Sequence, residues 1–124
     1  MRIVNDDVLQ RFREFRFCEC CNTPTPGGTD PAHIGSRGAG RVDAAWNLVA
    51  LSREHHTRSH AGGKPTRQDM LAIAAKREGT TVQAILDALV AIRLMDKDGK
   101  MHRDFRLSRE SRRLVKQVME GVQT

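Results

Sequence analysis

At 124 residues, with 21 Lys and Arg against 15 Asp and Glu and a formal charge of +6, the chain has room for one modest hydrophobic core and a surface suited to a polyanion. No apolar run nears the roughly 18 residues of a membrane span, and Asp6 and Asp7 stand where a signal peptide needs an apolar core. No basic amphipathic segment ends in an aromatic anchor, so nucleic acid, not a membrane, is the expected partner.

Residues 3–17 carry Ile3, Val4, Val8, Leu9, Phe12, Phe15 and Phe17 among Arg11, Arg13 and Arg16. The pattern predicts a short helix running into an extended arm, with the phenylalanines packed and the arginines facing solvent or phosphate. Cys18, Cys20 and Cys21 follow within four positions. An odd count at such spacing builds no disulfide framework, so metal ligation is expected, in a reducing cytoplasm.

From Asn22 to Arg41 the chain is loop chemistry on both sides of Ala32-His33-Ile34, where a short strand is expected. Trp46 to Leu51 predicts a second strand with Trp46 packed beneath the site. Ser52 predicts the cap of a helix that stops at Gly62-Gly63. Gly62 to Pro65 lacks the spacing of a phosphate-binding loop and is read as a linker. Thr66 with Asp69 predicts a capping box for a helix ending near Gly79, and Thr81 caps the next, Val82 to about Leu94. A turn at Asp96–Gly99, a returning strand over Met101–Leu107 and a basic helix capped by Ser108 and reaching Gly121 complete the order. His102 is read as facing solvent. The Arg109, Arg112, Arg113 and Lys116 stripe is read as a solvated helix face, with DNA-backbone contact as the sharper alternative. The expected class is α+β, with a core over 1–64 and a helical extension over 65–124 that is winged-helix-like or a plain helical cap and either stands apart or packs into one domain.

The string from Trp46 to His60 carries the chemistry. His56 and His60, four apart on a helix, share a face and can grip one cation. His33, on a separate element, is left free to act as a base. Taken alone, an i, i+4 histidine pair is more often surface decoration and Asn47 a turn residue.

In this order His33, Asn47, His56 and His60, behind Cys18-x-x-Cys21, resemble the HNH (ββα-metal) endonucleases, in particular the small phage type. The likeness covers roughly a third of the chain, Cys18 to His60. It implies a ββα-metal core in which His33 is the general base, Asn47 fixes that base through a hydrogen bond to ring or nearby backbone, and His56 and His60 hold the catalytic cation. Ser36-Arg37-Gly38-Ala39-Gly40 matches the phage-type string, which makes Arg37, with Arg41, a candidate phosphate ligand. One residue departs from the pattern: the family usually has a further metal ligand just before the base, and here it is Ala32. Asp30 is the nearest carboxylate.

The same resemblance implies a structural zinc on Cys18, Cys21 and His55, with Ser52 in the fourth position, where Cys20, water or the loop could substitute. Three ordinary buried thiols are the plainer alternative. The implied activity is metal-dependent DNA phosphodiester hydrolysis, nicking or cutting with low sequence specificity. Mg or Mn is the expected ion, with Ni or Zn as alternatives. Phage packaging or recombination proteins are candidate partners, and a bacterial host cytoplasm is the setting if the chain is phage-encoded. The competing reading is a catalytically weak or inactive zinc-containing module that binds DNA or protein.

Overall fold

Asn5 starts the first helix, α1 (Asp6–Arg13), by accepting the Val8 N–H on its side chain, and acidic Asp6 and Asp7 against basic Arg11 and Arg13 follow the helix dipole. The structure, a computed structural model, describes residues 2–35, 41–95 and 107–120. Within them the fold is α+β: a two-stranded antiparallel sheet and five helices.

Strands β1 (Asp30–His33) and β2 (Leu48–Leu51) pair with Asp30 opposite Leu51 and His33 opposite Leu48. Every residue of β2 is buried. Its two faces meet different partners: Leu48 and Ala50 pack on Leu9 and Phe12 of α1, while Val49 and Leu51 enter the larger core. That is why this strand is a continuous apolar run instead of an alternating one. A turn of 3₁₀ helix (Ala45–Asn47) leads into it. Trp46, expected in the strand, belongs to this turn. It is fully buried and donates its indole N–H to the Leu114 carbonyl at 3.2 Å.

Helix α2 (Arg53–His60) lies against both strands yet buries none of its own residues. After the linker come α3 (Arg67–Glu78), with the complete Thr66–Asp69 capping box and left-handed Gly79 at its end, α4 (Val82–Leu94), capped by Thr81, and α5 (Arg109–Glu120). Leu114, Val115 and Val118 of α5 face α4, and the Ser111 hydroxyl donates to the Ala84 carbonyl at 3.1 Å. Arg109, Arg112, Arg113 and Lys116 lie on the exposed side, where Arg113 pairs with Glu110. One continuous apolar cluster runs from Ile3, Cys18 and Ala32 through α3 and α4 to Val118, across the boundary expected at residue 64. No helix among the described residues is long and apolar enough to cross a membrane.

Arg77 of α3 ties this extension to the hairpin. Its guanidinium donates to both oxygens of Glu19 (2.6 and 2.8 Å) and to the Leu48 carbonyl at 2.7 Å, and it lies 4.8 Å from the centre of the Phe12 ring. Glu19, 8% exposed at its side chain, also accepts the Ala50 N–H. Arg77→Ala would strand that carboxylate, and an expected loss of about 3 kcal/mol follows, read by urea denaturation. A loss below about 1 kcal/mol would place the pair with ordinary surface bridges.

Phe17 departs from expectation. It is 47% exposed, because its backbone bridges to Pro24 to close the cysteine loop and turns the ring outward. The turn at 96–99, the strand over 101–107 except Leu107, His102 and the end of the last helix at Gly121 lie outside the described residues. Leu107 itself is not in a strand.

Candidate active and metal sites

Ser52 caps α2 by accepting the His55 N–H. The helix repeat then stacks His56 under His60, with ring centroids 4.7 Å apart and their Nε2 atoms at 3.1 Å. Two nitrogens each about 2.0–2.1 Å from one ion lie about 3.0–3.4 Å apart, so this pair has the bite of a chelate. Asp30 and Ala32 share one face of β1, and Asp30 Oδ2 sits 3.2 Å from His56 Nδ1. A carboxylate only accepts, so Nδ1 of His56 carries the proton and Nε2 keeps its lone pair for a cation. Asp30 thus reaches the ring of His56, and Ala32, buried in the core, has no donor atom on its side chain.

His33 meets a residue that nothing local in the sequence marks. Its Nε2 lies 2.7 Å from Oδ1 of Asp43, whose side chain is 0% exposed. Burial alone would push the Asp43 carboxyl up. The bidentate Arg41 guanidinium (2.9 and 2.8 Å), the Asn5 amide (2.8 Å) and the His33 ring outweigh it and hold Asp43 below the ordinary carboxylate range. Asp43 is therefore ionised and can only accept, so His33 donates from Nε2. Its Nδ1 has no hydrogen-bond partner among the described residues.

Asn47, fully buried, makes no hydrogen bond to the ring among the described residues. Its amide donates to the Val42 and Gly35 carbonyls (2.9 and 3.3 Å), and its oxygen accepts the Gly35 N–H at 3.0 Å. It clamps together the two ends of the loop that follows His33. Arg41 has two guanidinium nitrogens committed to Asp43. Arg37 lies outside the described residues.

His33, His56 and His60 line one cleft of ≈ 640 Å³. Its far wall is Leu86, Leu89, Val90 and Arg93 of α4, with Arg67 and Met70 of α3. Arg67 and Arg93 were not singled out in the sequence, because nothing local marks which helix residues will face a site. The lining among the described residues includes no carboxylate, which suits an anionic substrate.

At the other end of α2, one ligand atom each from Cys18, Cys21 and His55 lie within 4.8 Å of one another, a group that could hold a metal ion. His55 Nδ1 is 3.8 Å from Cys18 Sγ and 3.7 Å from Cys21 Sγ. Tetrahedral zinc with S at about 2.3 Å and N at about 2.0–2.1 Å spaces such atoms about 3.6 Å apart, so the donor set fits. The Ser52 hydroxyl, 3.0 Å from His55 Nδ1, is at the edge of the group. Burial would raise the Cys18 thiol, but backbone N–H groups of Ser52, Cys21 and Cys20 bring it below its ordinary value. Cys20 packs against the core and is not in the group. Burial, then the charges of Cys18 and Cys21, push its thiol up.

The Asp43 shift has a sign that can be tested. The unfolded chain binds a proton at Asp43 near pH 3.9, the folded chain only below that, so stability from this group is complete above about pH 5 and is lost as pH falls through the folded value. Asp69 and Glu110 shift the same way on the surface, chiefly through hydrogen bonds with Thr66 and with Arg113 and Thr80, and both contributions are shared by wild type and Asp43→Asn, so the difference between the two proteins reports Asp43. The thermal midpoint is expected to fall steeply below pH 4 in wild type and less in Asp43→Asn. Parallel curves would count against this role.

Comparison with protein-family models, with curated proteins and with solved structures finds no match to this chain.

Proposed function

We propose that the chain is a metal-dependent DNA endonuclease of the HNH type, with β1, β2 and α2 as its ββα-metal core. The observation that carries the reading is that His33, His56 and His60, drawn from two elements, meet in one cleft with complementary hydrogen bonding. Asp43 leaves Nδ1 of His33 open, while Asp30 leaves Nε2 of His56 open.

Phosphodiester hydrolysis needs a deprotonated water in line with the scissile bond and neutralisation of the charge that builds on phosphorus-bound oxygens. His33 Nδ1 is the acceptor for the water's proton, and Asp43, already on the opposite nitrogen, stabilises the imidazolium that results. A divalent ion bound by His56 and His60 would supply charge neutralisation at the phosphate and the leaving 3′ oxygen. Asn47 keeps the backbone beneath His33 in place. Arg67 and Arg93 line the same cleft as cationic contacts for a DNA backbone, which carry no sequence information and so accord with low specificity. An all-nitrogen pair of ligands favours Mn over Mg.

The test is plasmid relaxation by purified protein with Mg, Mn, Ni or Zn. Nicking with at least one of these ions supports the proposal, and none with any of them rejects it. A second reading rests on Ala32: with no ligand from the strand, the chain would be a zinc-containing module that binds DNA or protein without turnover. Retarded DNA mobility in protein holding one zinc per chain, with intact plasmid under every ion, would favour it.

A further inference from the structure

We infer that Asp43 is the positioning residue of His33, holding its ring in the Nε2–H tautomer so that Nδ1 is the basic atom. The inference deepens the nuclease reading and rests on it for the role of His33, but its geometry stands independently. Asp43 has no exposed side-chain surface and receives four other-residue donors: His33 Nε2, Arg41 Nε and Nη2, and the Asn5 N–H. Each oxygen takes two. A carboxylate so enclosed cannot rotate away, and it has no hydrogen to give, so the ring nitrogen facing it must carry one.

Arg41 makes the arrangement serve a base. A buried carboxylate facing an imidazole alone would need the ring's positive charge as counterion. With Arg41 bound in fork geometry the carboxylate already has its counterion, and what it asks of His33 is a hydrogen-bond donor at Nε2, which leaves Nδ1 as the acceptor. Asn47, hydrogen-bonded to Gly35 and Val42, sets the loop, and Asp43 sets the imidazole. Neither Arg41 nor Asp43 belongs to the histidine and asparagine pattern. They are joined to it only by the fold, through the bridge of Ile3 to Val42 that seats Asp43 beside Asn5.

The test is nitrogen-15 NMR of the side-chain imidazoles in the full chain. Wild type is expected to show His33 protonated at Nε2 and bare at Nδ1. In Asp43→Asn the amide hydrogens are expected to turn toward the ring, the one neighbour able to switch from donor to acceptor, and the tautomer reverses. With it kcat falls about 10³- to 10⁴-fold while KM changes little, because the wrong nitrogen then faces the water. Wild-type His33 protonated at Nδ1, or an Asp43→Asn variant with unchanged tautomer and kcat, would overturn the inference. If Asp43→Asn does not fold, as judged by circular dichroism, the wild-type tautomer alone decides. An Nε2–H ring in protein that cuts no DNA would reject the nuclease reading and leave the positioning intact, and an Nδ1–H ring in an active nuclease would do the reverse.

Discussion

Stripping metal from the Cys18, Cys21 and His55 group is expected to cost the protein its cooperative fold. Helix α2 buries none of its residues, so little apolar area holds it to the hairpin. Its first turn is tied down instead by Ser52 and His55, beside Cys18, which is fully buried in the main core. Structural zinc contributes about 10–16 kcal/mol in small zinc-dependent domains, against a total stability of about 5–15 kcal/mol for a typical domain. Even half of that, about 5–8 kcal/mol with three protein donors in place of four, is comparable to the whole stability of a small domain. The expected result is about one zinc per chain by elemental analysis and loss of the sharp thermal transition in the presence of a strong chelator, with Cys18→Ser behaving like the stripped protein. Since His55 is the immediate neighbour of His56, DNA cleavage should disappear in step with the fold. Metal-free protein melting at the same temperature as the untreated chain would dismiss a structural ion at this group.

Replacing His33 by alanine is expected to lower kcat by about 10²- to 10⁴-fold, about 3–5 kcal/mol of transition-state stabilisation. The fold should survive. His33 is 20% exposed at the end of β1, and Asp43 keeps Arg41 and Asn5 after the ring is gone. Circular dichroism and the DNA-binding constant are therefore expected to match wild type while plasmid nicking stops. Binding that weakens together with kcat would mean that His33 holds substrate and does not move its proton. Equal cutting by both proteins would remove His33 from the chemistry altogether.

Much of the helical framework could be read without coordinates, because capping is local chemistry. Ser52, Thr66 with Asp69, Thr81 and Gly79 each act within four residues of the helix end they define, and the i, i+4 spacing of His56 and His60 requires only that α2 be a helix. Cys18, Cys21 and His55 were also legible, though only through the resemblance, since 34 residues separate Cys21 from His55. The strand placed around His33 forms as expected. The one over Trp46–Leu51 begins two residues later, since the peptide before Leu48 closes a 3₁₀ turn that lets Trp46 reach the Leu114 carbonyl, 68 residues away.

Asp43 and Arg77 stand at the other extreme. Each looks in the sequence like any solvated charge, and each is enclosed in the fold by partners from distant segments: Asn5 lies 38 residues from Asp43, and Glu19 lies 58 from Arg77. Helix limits, capping and the shared face of two histidines follow from steric and hydrogen-bonding rules that operate over one or two turns, so the linear order of residues suffices for them. Which carboxylate meets which imidazole, and therefore which ring nitrogen is left bare, depends on chain segments brought together by burial. Only the folded arrangement of β1, β2 and the N-terminal arm could decide that.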